Sequence, residues 1–108
     1  MSAPPDRLPG MIKYVEAHPD DAFPRYGLAM EYAKRGELAA ADTQFAELRR
    51  RHPDYLAAYF HHGMLLLRLE RKDDARRTWE EGIRLAAAKG DTHTRSELEA
   101  VLADLGPA

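Results

Sequence analysis

A chain of 108 residues has room for one domain and one modest core, and its 44% hydrophobic and 31% charged residues are the balance of a folded globular protein. A net charge of -2 supplies no field for nucleic acid or an anionic membrane, and no apolar run approaches the roughly 20 residues that span a bilayer. The absence of cysteine removes disulfides, thiolate nucleophiles and sulfur metal ligands.

Residues 1–5, with Pro4 and Pro5, read as a flexible tail with no basic-then-apolar secretory signal, so a cytoplasmic location is expected. The first helix is expected near 6–17, turning Met11, Tyr14 and Val15 inward, with Pro9 tolerable in its first turn. After His18-Pro19-Asp20, a helix near 21–35 places Tyr26, Ala29, Met30 and Ala33 at i, i+3, i+4, i+7 spacing. Gly36 stops it, and Leu38, Ala41, Phe45 and Leu48 mark a third helix near 38–51 that Pro53 forbids from continuing. A fourth near 55–69 carries Tyr59, Gly63, Leu66 and Leu67, and a fifth near 73–88 carries Ala75, Trp79, Gly82 and Ile83. The sixth, near 92–105, has Asp91 or Thr92 as its cap and a stripe of Leu98, Val101, Leu102 and Leu105. That stripe is expected against Trp79, Ile83 and the end of the fourth helix. Nothing reads as a strand.

The chain repeats itself at a spacing of 34 residues. His18-Pro19-Asp20 recurs as His52-Pro53-Asp54, Met30 as Met64, Ala41 as Ala75, Glu47 as Glu81 and Arg50 as Arg84. Similar residues pair at the same distance: Tyr26 with Phe60, Ala29 with Gly63, Lys34 with Arg68, Phe45 with Trp79. A fixed period of this size is the mark of a stacked repeat architecture.

On these residues the chain resembles the tetratricopeptide-repeat family. Leu28, Ala29, Tyr32, Gly36, Ala41, Phe45 and Pro53 fall on the family's signature positions in the first period, as do Tyr59, Gly63, Leu66, Ala75 and Trp79 in the second. The resemblance implies an all-α fold of about six antiparallel helices in a right-handed superhelical stack. It implies a half-repeat at 6–19, repeats at 20–53 and 54–90, and a capping helix and tail at 91–108, together one domain spanning 6–108. Small side chains at Ala29, Ala41, Gly63 and Ala75 would let helices approach closely, with Phe45 and Trp79 filling the gaps beside them. Two departures stand out. His62 replaces a customary leucine and needs a hydrogen-bond partner if buried; Ala87 replaces a closing proline, so the fifth helix is expected to run on to about Gly90.

The tripeptide His-Pro-Asp also marks J-domain co-chaperones, but here it occurs twice at the repeat period, where Asp20 and Asp54 are expected to cap helices. The five histidines show no paired metal-ligand spacing, and no nucleophile elbow or phosphate loop is present, so no cofactor, metal or catalytic role is expected. Basic clusters alternate with acids, which argues against nucleic acid. In the family, the first helix of each repeat lines a concave surface that binds protein. Placed on that frame, Phe23, Tyr26, Met30 and Lys34 come from one repeat and Phe60, His61, Met64 and Arg68 from the next. The lysine, asparagine and arginine that grip a terminal carboxylate in some members are not at these places, so that function is not carried over. The expectation is a protein-interaction adaptor with an apolar groove for a peptide or helix. The alternative is a structural element whose groove is filled by its own C-terminal helix or by a second copy in a homodimer.

Overall fold

The computed structural model describes residues 4–108, and helices are the only regular secondary structure among them. Of the expected tail, residues 1–3 lie outside the described residues, and Pro4 and Pro5 are exposed and non-helical. The six helices are α1 (Leu8–Ala17), α2 (Ala22–Lys34), α3 (Leu38–Arg51), α4 (Leu56–Arg68), α5 (Lys72–Lys89) and α6 (Thr92–Leu105). Each lies within two residues of its expected span. Successive helices pack as antiparallel neighbours, with α2 and α3 forming one hairpin, α4 and α5 the next, and α4 also meeting α2. The stack measures 49 × 26 × 22 Å.

The small residues do what close approach requires. Ala29, Ala41 and Ala75 are fully buried, and Gly63 is buried in α4. A Cβ placed on Gly63 would lie 2.0 Å from Nε1 of Trp79, so the indole ring occupies the space that any side chain would need. Trp79 is 1% exposed, and its Nε1 donates to the Phe60 carbonyl at 3.2 Å, which fixes the ring.

Turn chemistry repeats along with the helices. Gly36 ends α2 at φ 79°, where the Glu37 amide donates to the Tyr32 carbonyl at 2.9 Å and the Gly36 amide to Ala33 at 3.1 Å. One period later Glu70 takes the same turn at φ 60°, with Arg71 bonded to Leu66 at 2.8 Å and Glu70 to Leu67 at 2.9 Å. The hairpin geometry is strong enough to hold a non-glycine residue in the left-handed region. At the end of α5 Gly90 again supplies positive φ, so the helix runs on to Lys89 as the missing proline implied.

Two details correct the sequence reading. Asp20 and Asp54 do not cap helices: the N-cap residues of α2 and α4 are Asp21 and Tyr55, and neither accepts a side-chain cap bond. The repeated His-Pro-Asp turn is instead closed by its proline carbonyl, which accepts from Arg25 Nη2 at 3.0 Å in the first period and from the Tyr59 hydroxyl at 2.5 Å in the second. Asp20 pairs with Arg51, and its carbonyl meets His52 Nε2 at 2.8 Å, which ties one turn to the next. Tyr14, expected inward, is 48% exposed and stacks on His18 with ring centroids 4.3 Å apart, leaving Val15 as the buried residue of α1. At the other end Asp91 caps α6, accepting from the Thr94 amide at 3.0 Å. The α6 stripe packs as expected, with Leu98 fully buried beside Trp79 and Ala86, and with Ile83, Val101, Leu102 and Leu105 around them.

Candidate functional site

Helices α2, α4 and α6 share one face of the molecule and run in the same direction, because each is separated from the next by an antiparallel partner. Tyr26, Met30 and Ala33 recur along one side of α2, and His61 and Met64 along the facing side of α4, since three- and four-residue steps return to one helix face. Between these two helices lies a cleft of about 240 Å³ lined by Met30, Ala33, Lys34, His61, Met64 and Arg68. Tyr26 extends it toward the helix N-termini, with its ring 5.8 Å from His61 and 5.5 Å from Tyr55. Phe23 stands 6.4 Å beyond Tyr26 and is 71% exposed, and Met64 in mid-groove is 41% exposed. Large apolar side chains this exposed, in line along one groove, are the surface that association would bury.

Seven of the eight residues expected from sequence therefore flank this groove; Phe60 faces the other way. It turns toward α6 and packs with the Trp79 and Leu98 cluster, touching the groove only through its edge-on contact with His61, 5.2 Å away. Arg68 is also partly committed, donating to the Ala33 carbonyl at 2.9 Å. What the sequence reading missed is the third wall. Leu56, Phe60 and His61 of α4 face Asp91, Thr94 and Glu97 across a cleft of about 400 Å³, and Met64 and Leu67 face Val101, Asp104 and Leu105 across another of about 340 Å³. The signal was present in the chain: α2, α4 and α6 start at 22, 56 and 92, so α6 takes the place of the first helix of a further unit.

Burial lowers the His61 pKa below its ordinary value, with Glu97 opposing weakly, and raises that of Tyr26, helped by Tyr55. The floor of the groove is thus neutral at pH 7.

On the other side of α4, His62 is buried beneath a polar cleft. Its Nε2 lies 2.7 Å from Asp42 Oδ1 and its Nδ1 3.0 Å from Arg49 Nη1, and its ring stacks on Phe45. The arginine can only donate, so Nδ1 must accept, and Nε2 carries the proton to the carboxylate. A second proton on Nδ1 would face the guanidinium. Burial first and Arg49 next lower the His62 pKa, while Asp42 opposes. Arg71 also pairs with Asp42, and Thr78, Asp74, Arg77 and Glu81 of α5 complete the surroundings.

The unfolded chain takes up a proton at each of these histidines near pH 6.5, before the folded chain does, so stability is full above that pH. It is expected to fall as the pH drops from 6.5 toward the lowered folded values. Thermal melts between pH 7.5 and 5 check this. His62→Gln can still donate to Asp42 but cannot charge, so it should flatten the slope; an unchanged slope would remove His62 from the account.

No helix is long and apolar enough to cross a membrane, and no group of three or more histidine, aspartate or glutamate residues is placed to hold a metal, among the described residues. No protein-family model matches the chain, and no curated protein does. Solved structures do. A tetratricopeptide repeat domain protein from Salinibacter ruber, solved in solution, is 39% identical with TM-score 0.78 over 82% of this chain and 89% of that one. A Bordetella parapertussis protein is 25% identical with TM-score 0.79 over 97% and 89%. The TPR2B domain of yeast Sti1, solved in its pHsp70 complex, is 14% identical with TM-score 0.83 over 91% and 78%, a likeness of fold alone.

Proposed function

The chain belongs to the tetratricopeptide-repeat family of protein-interaction scaffolds, and on that premise we propose that it is a non-catalytic adaptor holding a peptide or helix of another protein in the groove between α2 and α4. The observation that carries this reading is the exposure of Phe23 and Met64 in line with Tyr26, Met30 and His61, a strip that none of the described helices covers. The contact residues are Phe23, Tyr26, Met30, Lys34, His61, Met64 and Arg68, with Phe60 backing His61. Aromatic rings supply area at little entropic cost, and methionine adapts to the shape it meets. The carboxylate grip of some relatives is not proposed.

The competing reading is a structural element, with the groove filled from within the molecule or by a second copy. Against the first version, α6 is held on α5 through Leu98, which packs with Trp79 and Ala86, and only borders the groove. In favour of the second, two hairpins make a short array that pairing would help to stabilise.

Tyr26→Glu with Met64→Glu discriminates between them. On the adaptor reading the double variant stays a folded monomer by circular dichroism and light scattering, and captures its partner from native lysate at least roughly 30-fold more weakly, as loss of a central anchor implies. Unchanged capture would refute the groove; loss of a dimer would support the structural reading.

A further inference from the structure

An occupant of this groove must bring its own hydrogen bonds. An extended peptide presents an amide and a carbonyl at every residue, and a surface that binds it must answer them or bury them unpaired. Side-chain amides are the usual answer because each both donates and accepts. The chain has no asparagine and a single glutamine, Gln44, which lies on α3 and accepts from Arg25 at 2.8 Å. Around the groove the neutral polar groups reduce to the Tyr26 and Tyr55 hydroxyls, the His61 ring and Thr94, whose hydroxyl already donates to Asp91 at 2.8 Å. Met30, Met64, Leu67 and Val101 offer nothing polar. A helix satisfies its own backbone and asks only for apolar area, which these side chains supply.

Charge then sets direction. Where the N-terminal halves of α4 and α6 face each other, the lining charges are Asp91 and Glu97; Lys89 at this end is turned onto the Asp54 carbonyl, and the His93 ring meets Glu97. Where the C-terminal halves meet, Lys34, Arg68 and Lys72 outnumber Asp104. Taken over the clefts on both flanks of α4, which share His61 and Met64, the surface is therefore acidic at one mouth and basic at the other. A helix carries acids favourably in its first turn and bases in its last, where they offset its own dipole.

Resting on the groove reading above, we propose that the occupant is an amphipathic α-helix of a partner protein, lying antiparallel to α4 with an acidic first turn toward Lys34 and Lys72 and a basic last turn toward Asp91 and Glu97. The 13 residues of α4 extend about 20 Å, so four turns of the ligand span the site.

The test is selection from a displayed library of random 18-residue peptides on the intact protein, with Met64→Glu as the counter-selection. The expected winners show apolar residues at three- and four-residue steps, acids first and bases last. An enriched peptide, synthesised, should lose roughly tenfold in affinity against Lys34→Glu with Lys72→Glu and regain it when its own end charges are exchanged. Lys34 and Lys72 are both exposed, and circular dichroism of the double variant checks that the fold is kept. Winners with a central proline, or with reversed end charges, overturn the helix or its direction while leaving the groove reading standing. Enrichment that Met64→Glu does not reduce overturns the groove reading itself. A dimer separated by Met64→Glu places a second copy in the groove and overturns the proposal.

Discussion

Gly63→Ala is expected to cost about 3 kcal/mol or more, as an overpacked core that also loses a buried hydrogen bond. One methyl group has this effect because the added carbon would sit 2.0 Å from Trp79 Nε1 and 2.5 Å from Cε2, and the ring has nowhere to go. Moving it breaks the bond to the Phe60 carbonyl and disturbs the cluster formed with Ala86 and Leu98. Alanine in mid-helix would ordinarily gain about 1 kcal/mol over glycine, so the sign of the change is informative. Gly27→Ala is the control: its added carbon meets only Met11 Cε at 3.9 Å, and stability should rise by about 0.5–1 kcal/mol. Melting temperatures report both, with a drop of at least roughly 12 °C for Gly63→Ala. A neutral or stabilising result there would mean that the α4–α5 crossing is looser than described.

Leu98→Ala is expected to cost about 3 kcal/mol, within the range for emptying a buried leucine site. Leu98 is the one fully buried side chain of α6 and lies over Gly82, where a Cβ would come within 3.0 Å of its Cδ1. The rest of the stripe, Val101, Leu102 and Leu105, is only half-buried and cannot hold the helix alone. Urea midpoints measure the loss, and amide exchange locates it: protection should fall across Thr92–Leu105 while α2 to α5 keep theirs. A loss under about 1 kcal/mol would show that α6 is not held through this residue.

The parts of the fold that were legible in the sequence are those in which one side chain fixes its own environment. Ala29, Ala41, Gly63 and Ala75 recur at the repeat spacing because helix crossings tolerate nothing larger, and Gly90 announces a stop because its φ demands it. Glu70 was harder: nothing in its chemistry announces a left-handed turn, which the hairpin imposes from outside. The aspartates of the repeated tripeptide were misread for a similar reason. Their composition is that of a cap, but Arg25 and Tyr59, six residues further on, take the proline carbonyl, and Arg51 takes Asp20. At the candidate site the α2 and α4 walls followed from the period. The α6 wall did not, since the extended α5 displaces it from the 34-residue frame by two residues. The facing of Phe60 depended on that displaced helix and could not be read without it.

The groove is built against the best-anchored element of the molecule. Six residues of α4 are buried, from Ala58 to Leu66, whereas α1 and α6 each contribute one. Opening of the stack therefore starts at its two ends, and the exposed strip at mid-molecule keeps its contour while they fray. A ligand arriving there meets a rigid ridge and forfeits little of the receptor's conformational freedom on docking. The entropy of association then falls almost wholly on the ligand, and a segment already coiled in solution holds the advantage over one that must be ordered on arrival.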